Sequence, residues 1–364
     1  MGTNVLTCAS TQKELPMSAE LPHRIEFLQG RIAVDPWELL GRSRASDKDV
    51  VVLSGTLLEG FGNLYSDLDL YVIGDELPTK GSEVPATLVI REDGCVRRVN
   101  ETLESSANIL LDVQYYTHRE LETLARSLRV LYQEACQSTQ IYRKTLHHED
   151  EDLIHKLLTG KVLQDDSGKF NAARTFDCGM FCFLKYRNEV GGYSEFRDLV
   201  GSWTAGDLDT CIYNIRGYLV SQVSGMMFLS GNTNPRPKWF VRRLGSLPPE
   251  YGDVREGVMA WLESAHRTER QKRDAVESAC DLIDLTYKHA RELLGTNPSY
   301  FSAAEALELT EREFAGRAVQ DKDTKAESQL RRRMFVQADH PLIMEIQNSA
   351  SRLPRIDASH APAS

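Results

Sequence analysis

The sequence predicts an α+β protein in which a small mixed twisted β-sheet is followed by an α-helical bundle. Strand patterns are concentrated before residue 118, where DVVVLSG, LDLYVIG and ANILLDVQYYT are rich in β-branched residues. From His118 onward the apolar residues recur at helical spacing, and no strand pattern of similar strength follows. Strands grouped ahead of helices are typical of the α+β class.

Composition shifts divide the chain into five predicted segments. These are a flexible polar leader (1–22), a sheet domain (23–137), a helical bundle (138–300), a helical C-terminal extension (301–350) and a disordered tail (351–364).

Individual elements are predicted within these segments. HRIEFLQGRIAVDPWELLGRSRA indicates a broken helix with a fresh start at Asp35-Pro36. ATLVIRED and CVRRVNET indicate a hairpin, and LIHKLLTGKVL indicates a helix in which His155 packs.

Bulk properties narrow the possible environments and partners. The chain has 364 residues, a formal net charge of −10, and 41% hydrophobic and 26% charged residues, as in ordinary globular proteins. This charge provides no basic footprint, so nucleic acid is not expected as a partner. No apolar run approaches the ~20 residues of a membrane span, and the N-terminal segment lacks a secretory pattern.

Cysteine usage favours a reducing compartment. The seven cysteines show no framework spacing, which predicts reduced thiols in a cytoplasmic protein. Cys178 and Cys182 share a helix face, but without histidine partners they are expected to pack in the core rather than bind zinc.

Three aspartates lie within predicted strands, where an unpaired charge is costly. Asp67 and Asp69 are two residues apart, so they project from one face of a strand and repel each other. Asp112 lies within ILLDVQYY. If the two strands are neighbours, the three carboxylates converge, and such a cluster can bind two Mg²⁺ ions. The alternative is that all three are surface acids on an exposed sheet face.

A glycine turn precedes the paired acids. Gly55 and Thr56 directly follow a predicted strand and are expected to open onto a short helix. Backbone N–H groups in such a turn approach an anion closely, and a helix N-terminus adds a favourable dipole. The Thr56 hydroxyl is a candidate donor to a phosphate oxygen.

These residues carry a family resemblance. G-T-L-L-E-G-F-G-N-L-Y-S-D-L-D-L resembles the signature of the minimal polymerase β-like nucleotidyltransferases. Gly55, Thr56, Gly60, Ser66, Asp67 and Asp69 fall on its positions without a gap, and Asp112 matches its third acid. The chain departs from the pattern at Glu59, where many members have arginine. That departure removes a possible cation and leaves open which residues would contact the phosphates.

The helical half is similar to the bundles of antibiotic-modifying nucleotidyltransferases of the aminoglycoside type. GNTNPRPKWFVRRL, residues 231–244, resembles a segment of such bundles that presents a lysine shortly before a tryptophan. By this resemblance Lys238 reaches the triphosphate, assisted by Arg242 or Arg243. The alternative is a solvated basic helix start.

The resemblance implies Mg²⁺-dependent transfer of a nucleoside monophosphate, AMP in the first instance, from an NTP to a hydroxyl of a small molecule. Pyrophosphate is released. ATP and two Mg²⁺ ions are the implied cosubstrate and cofactors, and Asp112 is either a metal ligand or the general base. Tyr115 or Tyr116 is expected to line the pocket wall. The acceptor and a monomeric or homodimeric state stay open, with an antibiotic or a specialised-metabolite intermediate as candidate acceptors. The alternatives are nucleotidylation of a protein side chain or tRNA end, and a non-catalytic regulatory protein on the same fold.

Overall fold

A computed structural model describes residues 22–78, 88–90, 95–103, 109–168, 170–315, 322–336, 338 and 340–352. The strands are β1 (Ile25–Phe27), β2 (Ile32–Val34), β3 (Val50–Ser54), β4 (Leu68–Gly74), β5 (Leu88–Ile90), β6 (Val96–Leu103), β7 (Ile109–Thr117) and β8 (Lys161–Gln164). The helices are α1 (Pro36–Ser43), α2 (His118–Ala135), α3 (His148–Thr159), α4 (Ala172–Thr175), α5 (Cys178–Glu189), α6 (Tyr193–Ala205), α7 (Leu208–Leu229), α8 (Phe240–Gly245), α9 (Gly252–Glu263), α10 (Glu269–Leu294), α11 (Ala303–Phe314), α12 (Lys322–Phe335) and α13 (Leu342–Arg352). This is the predicted α+β class, with a small mixed sheet and many helices.

Six strands form one sheet in the order β5-β6-β7-β4-β3-β8. The β4 and β7 strands are parallel, and the other neighbours in the sheet are antiparallel. The predicted strands around residues 50–54, 68–74 and 109–117 and the predicted pairing of β5 with β6 are confirmed.

The two faces of this sheet belong to different hydrophobic cores. One face carries Tyr71, Ile73 and Tyr116, which pack with α2, α3 and the helical half. The opposite face carries Leu70 and Val113, which pack with α1 and the β1–β2 hairpin. Because alternate residues of a strand point to opposite faces, Asp69 and Asp112 lie on the face turned toward the helices.

Local sequence signals fix several helix starts. The Asp35 side chain accepts a hydrogen bond from Trp37 N at 2.9 Å, and Pro36 opens α1 as predicted. Thr117 and Glu120 form a capping box at the start of α2, directly after β7. The chain therefore turns sharply from the central parallel strand into the helical side.

The helical half is built around α7, which packs against α5, α6 and α10. The predicted C-terminal extension is helical, and its last helix α13 packs on α6 and α10. The extension is thus part of the same core, since Leu342 and Ile346 are fully buried there.

The structure corrects two predicted elements. The segment predicted as a broken helix begins with the β1–β2 hairpin, whose turn places Leu28 and Gln29 at positive φ. The predicted helix through residue 163 ends at Thr159, because Lys161–Gln164 pairs with β3 as an edge strand. The sheet therefore extends beyond the predicted boundary at 137. Residues 1–21 of the leader and 353–364 of the tail lie outside the described residues.

The described cysteines are mostly free thiols, at Cys95, Cys136, Cys182, Cys211 and Cys280. The expectation of reduced thiols is wrong at Cys178, which is disulfide-bonded. Cys182 is fully buried in the core, as predicted. No helix in the described part of the chain combines the length and apolar composition needed to cross a bilayer.

Candidate active site

Asp69 and Asp112 are register partners on the parallel strands β4 and β7. Both are buried, with exposed fractions of 4% and 2%. Asp69 is also the antiparallel partner of Ser54, the last residue of β3. The structure thus brings two of the three predicted acids together in the centre of the sheet, on the face covered by helices.

Asp67 lies one residue before β4 and is half-buried. Burial raises the pKa of Asp69 above its usual value, Lys156 opposes that rise, and the charges of Asp67 and Asp112 add to it. The charges of Asp67 and Asp112 therefore both act on the Asp69 carboxylate.

A cation partners each buried acid. Lys156 Nζ, from α3, lies 2.7 Å from Asp69 Oδ2. Arg98, from β6, holds Asp112 with two contacts, Nε to Oδ1 at 2.7 Å and Nη2 to Oδ2 at 2.6 Å. Lys156 and Arg98 thereby offset the cost of burying two charges. Both side chains keep contact with solvent, with exposed fractions of 20% and 44%.

The glycine turn after β3 is packed directly against Asp69. Gly55 has a φ of +108°, and a Cβ atom added there would lie 2.5 Å from Asp69 Oδ2. Only glycine combines this backbone conformation with this close approach. Gly55 is thus needed to place both the turn and the carboxylate.

The segment after Gly55 consists of turns rather than the predicted short helix. The N–H groups of Leu58 and Glu59 donate to Gly55 O at 3.0 and 3.2 Å. The N–H groups of Phe61 and Gly62 donate to Thr56 O at 2.9 and 2.8 Å. The expected helix dipole at this position is therefore absent, while Thr56 remains half-exposed at the turn.

Ser66 has a structural role in the loop before the acids. Its hydroxyl accepts a hydrogen bond from Asn63 N at 2.9 Å, and its own N–H donates to Asn63 O at 3.0 Å. These bonds close a turn that leads into Asp67 and β4. The sequence placed Ser66 at the site, and the structure indicates that it orders the loop.

Glu59 ties the turn segment to the helical half. Its Oε2 atom accepts from Asn234 Nδ2 at 3.2 Å and lies 3.2 Å from His155 Nε2. Burial opposes ionisation of Glu59, but His155, Asn234 and Lys156 outweigh it and lower the pKa of the carboxyl. Glu59 thus attaches the turn segment to α3 and to the segment that contains Asn234.

His155 is buried, as predicted, and it extends this connection. Its exposed fraction is 3%, and Nδ1 lies 2.8 Å from Thr233 Oγ1. Farther along the same segment, Arg236 Nε donates to Asp152 Oδ1 at 2.7 Å. Helix α3 therefore contacts both the turn after β3 and the segment that precedes Lys238.

The segment 231–244 lies against the turn segment, as its predicted role requires. The Trp239 and Phe61 rings are 6.1 Å apart between centroids. Lys238 and Arg242 are exposed. Arg243 is not available to a triphosphate, because it is 2% exposed and its guanidinium lies 4.5 Å from the Phe228 ring centroid.

Of the two tyrosines that follow Asp112, one lies on the site face. The Tyr115 hydroxyl donates to Ser43 O at 3.1 Å, on the opposite side of the sheet. Tyr116 packs against Tyr71, with 6.1 Å between ring centroids, and its hydroxyl donates to Gln114 Oε1. Only Tyr116 therefore fits the prediction of a wall beside the acids.

The donor set of the site matches a hard divalent cation in kind. Carboxylate oxygens are the preferred ligands of Mg²⁺, and the Gly55 turn leaves room for the Asp69 carboxylate. In the described part of the chain, however, no group of three or more His, Cys, Asp or Glu side chains is arranged around a common metal position. Lys156 and Arg98 occupy carboxylate oxygens that a metal ion would require.

Sequence reasoning missed the residues that approach the acids from other elements. Lys156 lies 87 positions after Asp69 in the chain, on a helix with an ordinary amphipathic pattern. Arg98 lies in a strand whose register could not be read from alternation alone. The usable signal in the sequence was the acid at Glu59, at a position where the signature that the chain resembles often has arginine.

Comparisons with known proteins find similarity to solved structures. No protein-family model matches the chain, and no curated protein matches it. A crystal structure of a nucleotidyltransferase-like protein from Exiguobacterium sibiricum aligns with 76% of this chain and 83% of its own, at 12% identity and a TM-score of 0.34. A similarity this weak supports no conclusion about function. Any functional proposal therefore depends on the geometry of the site.

Proposed function

We propose that this protein is a nucleotidyltransferase that transfers a nucleoside monophosphate, in the first instance AMP from ATP, to a hydroxyl of a small molecule. The register pairing of Asp69 with Asp112, beside the Gly55 turn, is the observation that supports this proposal. Two buried carboxylates on adjacent strands, next to a glycine turn, fit nucleotide chemistry better than they fit an exposed sheet surface. Their burial also removes support from the alternative that they are exposed surface acids.

Each residue of the site has a proposed role. Asp67, Asp69 and Asp112 would hold Mg²⁺, which supplies charge neutralisation at the reacting phosphate. Alternatively, Asp112 would accept the proton of an acceptor hydroxyl, which requires Arg98 to leave one of its two carboxylate oxygens. Gly55 and Thr56 would contact the phosphates through backbone N–H groups and a hydroxyl.

The helical half contributes the second wall of the proposed site. Lys238 and Arg242 would contact the triphosphate from the segment that packs on Phe61. Lys156 would change partner in this proposal, because Asp69 would have to give up its ion pair with Lys156 in order to hold a metal ion. The released ammonium is then available to the nucleotide phosphates, as a compact cation on a flexible stem.

A second candidate function is favoured by the same ion pairs. Lys156 and Arg98 already neutralise the two buried acids. A protein with permanent counter-charges at this position would bind a nucleotide without turning it over, as a regulatory protein. Nucleotidylation of a protein side chain or a tRNA end keeps the chemistry and changes the acceptor.

One experiment separates these functions. The protein is incubated with each NTP labelled at the α-phosphate, with Mg²⁺ or with EDTA, and with small-molecule, protein and tRNA acceptors. Release of pyrophosphate and transfer of label to a small hydroxyl compound, only with Mg²⁺, support the proposal. Nucleotide binding that is unaffected by EDTA, without transfer to any acceptor, would favour the regulatory protein instead.

A further inference from the structure

A cavity of about 320 Å³ opens in the helical half, outside the acid site. It lies between the first turns of α3, the last turns of α5 and the segment before α3, and Arg143, Glu151, Lys185 and Asn188 are among its lining residues. Its volume is at the lower end of the range of about 300–1,000 Å³ that small-molecule sites occupy.

A buried ion pair forms one wall of this cavity. Lys185 Nζ lies 2.8 Å from Glu151 Oε2, and the exposed fractions of the two side chains are 9% and 8%. The Thr145 hydroxyl donates to the other oxygen, Glu151 Oε1. Both carboxylate oxygens thus have donors, whereas an ammonium group with three N–H bonds can donate to two further acceptors.

Asn188 fixes the chain segment that carries Arg143. Its Nδ2 donates to Tyr142 O and Lys144 O, both at 3.0 Å. These two bonds hold the backbone on either side of Arg143 against the last turn of α5. The position of the Arg143 backbone at the cavity is therefore set by the fold.

Behind this wall the interior is charged rather than apolar. Lys185 and Arg243 lie over the Phe228 ring at 5.7 and 4.5 Å from its centroid. In the described part of the chain, Arg243 Nε and Nη2 are also buried without hydrogen-bond partners. The Glu189 carboxylate interacts electrostatically with both cations: burial raises its pKa, and their charges oppose that rise.

We propose that this cavity binds a small molecule that carries an anionic group. The lining includes two cations, Arg143 and Lys185, and one carboxylate, Glu151, so these three side chains leave one excess positive charge. The anion pairs with Lys185 and Arg143. A polycation such as an aminoglycoside is disfavoured by the same charges.

Helix α3 runs between this cavity and the acid site. Glu151 lines the cavity, and Lys156, five residues later, pairs with Asp69. Five residues correspond to about 7.5 Å of helix rise and to about 140° of rotation around the helix axis. The cavity and the acid site therefore lie on different sides of α3, and the proposed binding does not rest on the proposed function.

The test uses three six-carbon probes of matched size and different charge. Gluconate carries a carboxylate and hydroxyls, sorbitol is its neutral counterpart, and glucosamine is cationic. Binding to the full-length protein is measured by calorimetry and by thermal shift, without nucleotide or Mg²⁺. We expect gluconate to bind at least tenfold more tightly than sorbitol or glucosamine. Equal binding of all three, preference for glucosamine, or binding of none would overturn the proposal.

Variants connect the binding to the cavity. Arg143→Ala should weaken gluconate binding about tenfold, the scale of one charge-assisted hydrogen bond. Lys144→Ala removes the neighbouring cation, which lies outside the lining and pairs with Glu134, and should leave the affinity unchanged. Equal losses in both variants would indicate a long-range charge effect and would contradict a site at this cavity.

A double variant tests the buried pair without leaving a lone charge. Lys185→Met with Glu151→Gln removes both members, and its fold is checked by circular dichroism. Gluconate binding should be lost, and retained binding would overturn the proposal.

Discussion

Asp69 and Asp112 stand opposite one another on the two parallel strands at the centre of the sheet, and each is paired with a cation from a different element. The pairing explains how two buried carboxylates are tolerated side by side. A metal ion bound to either carboxylate would have to displace Lys156 or Arg98.

Replacing Asp69 or Asp112 with Asn should abolish nucleotidyl transfer. We expect a loss of at least about 100-fold, the scale seen when one electrostatic contact to a transition state is removed. Pyrophosphate release under Mg²⁺ measures it. Asp75→Asn is the matched control, because Asp75 is an exposed acid directly after β4. Full activity in either site variant would remove the acids from the mechanism.

The stability of Asp69→Asn distinguishes a functional acid from a structural one. Burial raises the pKa of Asp69 despite Lys156, so the folded protein disfavours the ionised form. Metal-free Asp69→Asn should therefore keep or slightly exceed the wild-type melting temperature. A fall of more than about 10 °C, well beyond the shift of a typical substitution, would mean that the charge itself stabilises the fold.

Gly55→Ala should lower both stability and activity, whereas Gly60→Ala should lower stability alone. Both glycines have positive φ, so each substitution strains the backbone by about 1–3 kcal/mol. Only at Gly55 does the new methyl group meet the Asp69 carboxylate, since nothing lies within 4 Å at Gly60. Urea unfolding and pyrophosphate release measure the two effects. Equal loss of activity in both variants would contradict a direct effect on Asp69.

Glu59→Gln should destabilise the protein at pH 7 and have a smaller effect in acid. The pKa of Glu59 is lowered in the folded state, so its stabilisation is present above the unfolded-state value of 4.5. That stabilisation is lost as the pH falls through the lower folded-state pKa. We expect a loss of about 1–3 kcal/mol at pH 7, by urea unfolding, which shrinks below pH 4.5.

The exposed Glu256 provides the control for this pH dependence, since Glu256→Gln should change stability little at any pH. A Glu59→Gln effect that stays constant between pH 7 and pH 4 would show that the charge of Glu59 is not what anchors the loop.

Lys238→Ala should weaken NTP binding about tenfold with little change in the melting temperature, because the side chain is exposed and its ammonium group lies 5.2 Å from the Trp239 ring centroid, a weak surface contact. Arg242→Ala should act in the same direction. Fluorescence of the neighbouring Trp239 provides a binding signal. Lys48→Ala removes an equally exposed lysine beside β3 and should bind NTP normally. Unchanged NTP affinity in Lys238→Ala would show that residues 231–244 are a solvated surface and do not bind the nucleotide.

The sequence predicted the parts of the site that depend on local pattern. Asp67, Asp69 and the Gly55 turn could be located because strand alternation and glycine conformations act over a few residues. Lys156 and Arg98 could not, since their positions depend on how α3 and β6 pack against the central strands. The β8 strand was missed for the same reason, because four residues at a sheet edge carry too little pattern to outweigh the preceding helix.

The chain returns from the helical half to the sheet at β8, and this limits where the protein can be cut into fragments. A fragment that stops at residue 137 keeps all three acids but lacks the strand that covers β3, whose five residues are buried in the intact fold. Its uncovered backbone N–H and C=O groups would pair with other molecules, so we expect such a fragment to aggregate. The smallest soluble piece that carries the acids should extend at least through Gln164, and it necessarily includes α3.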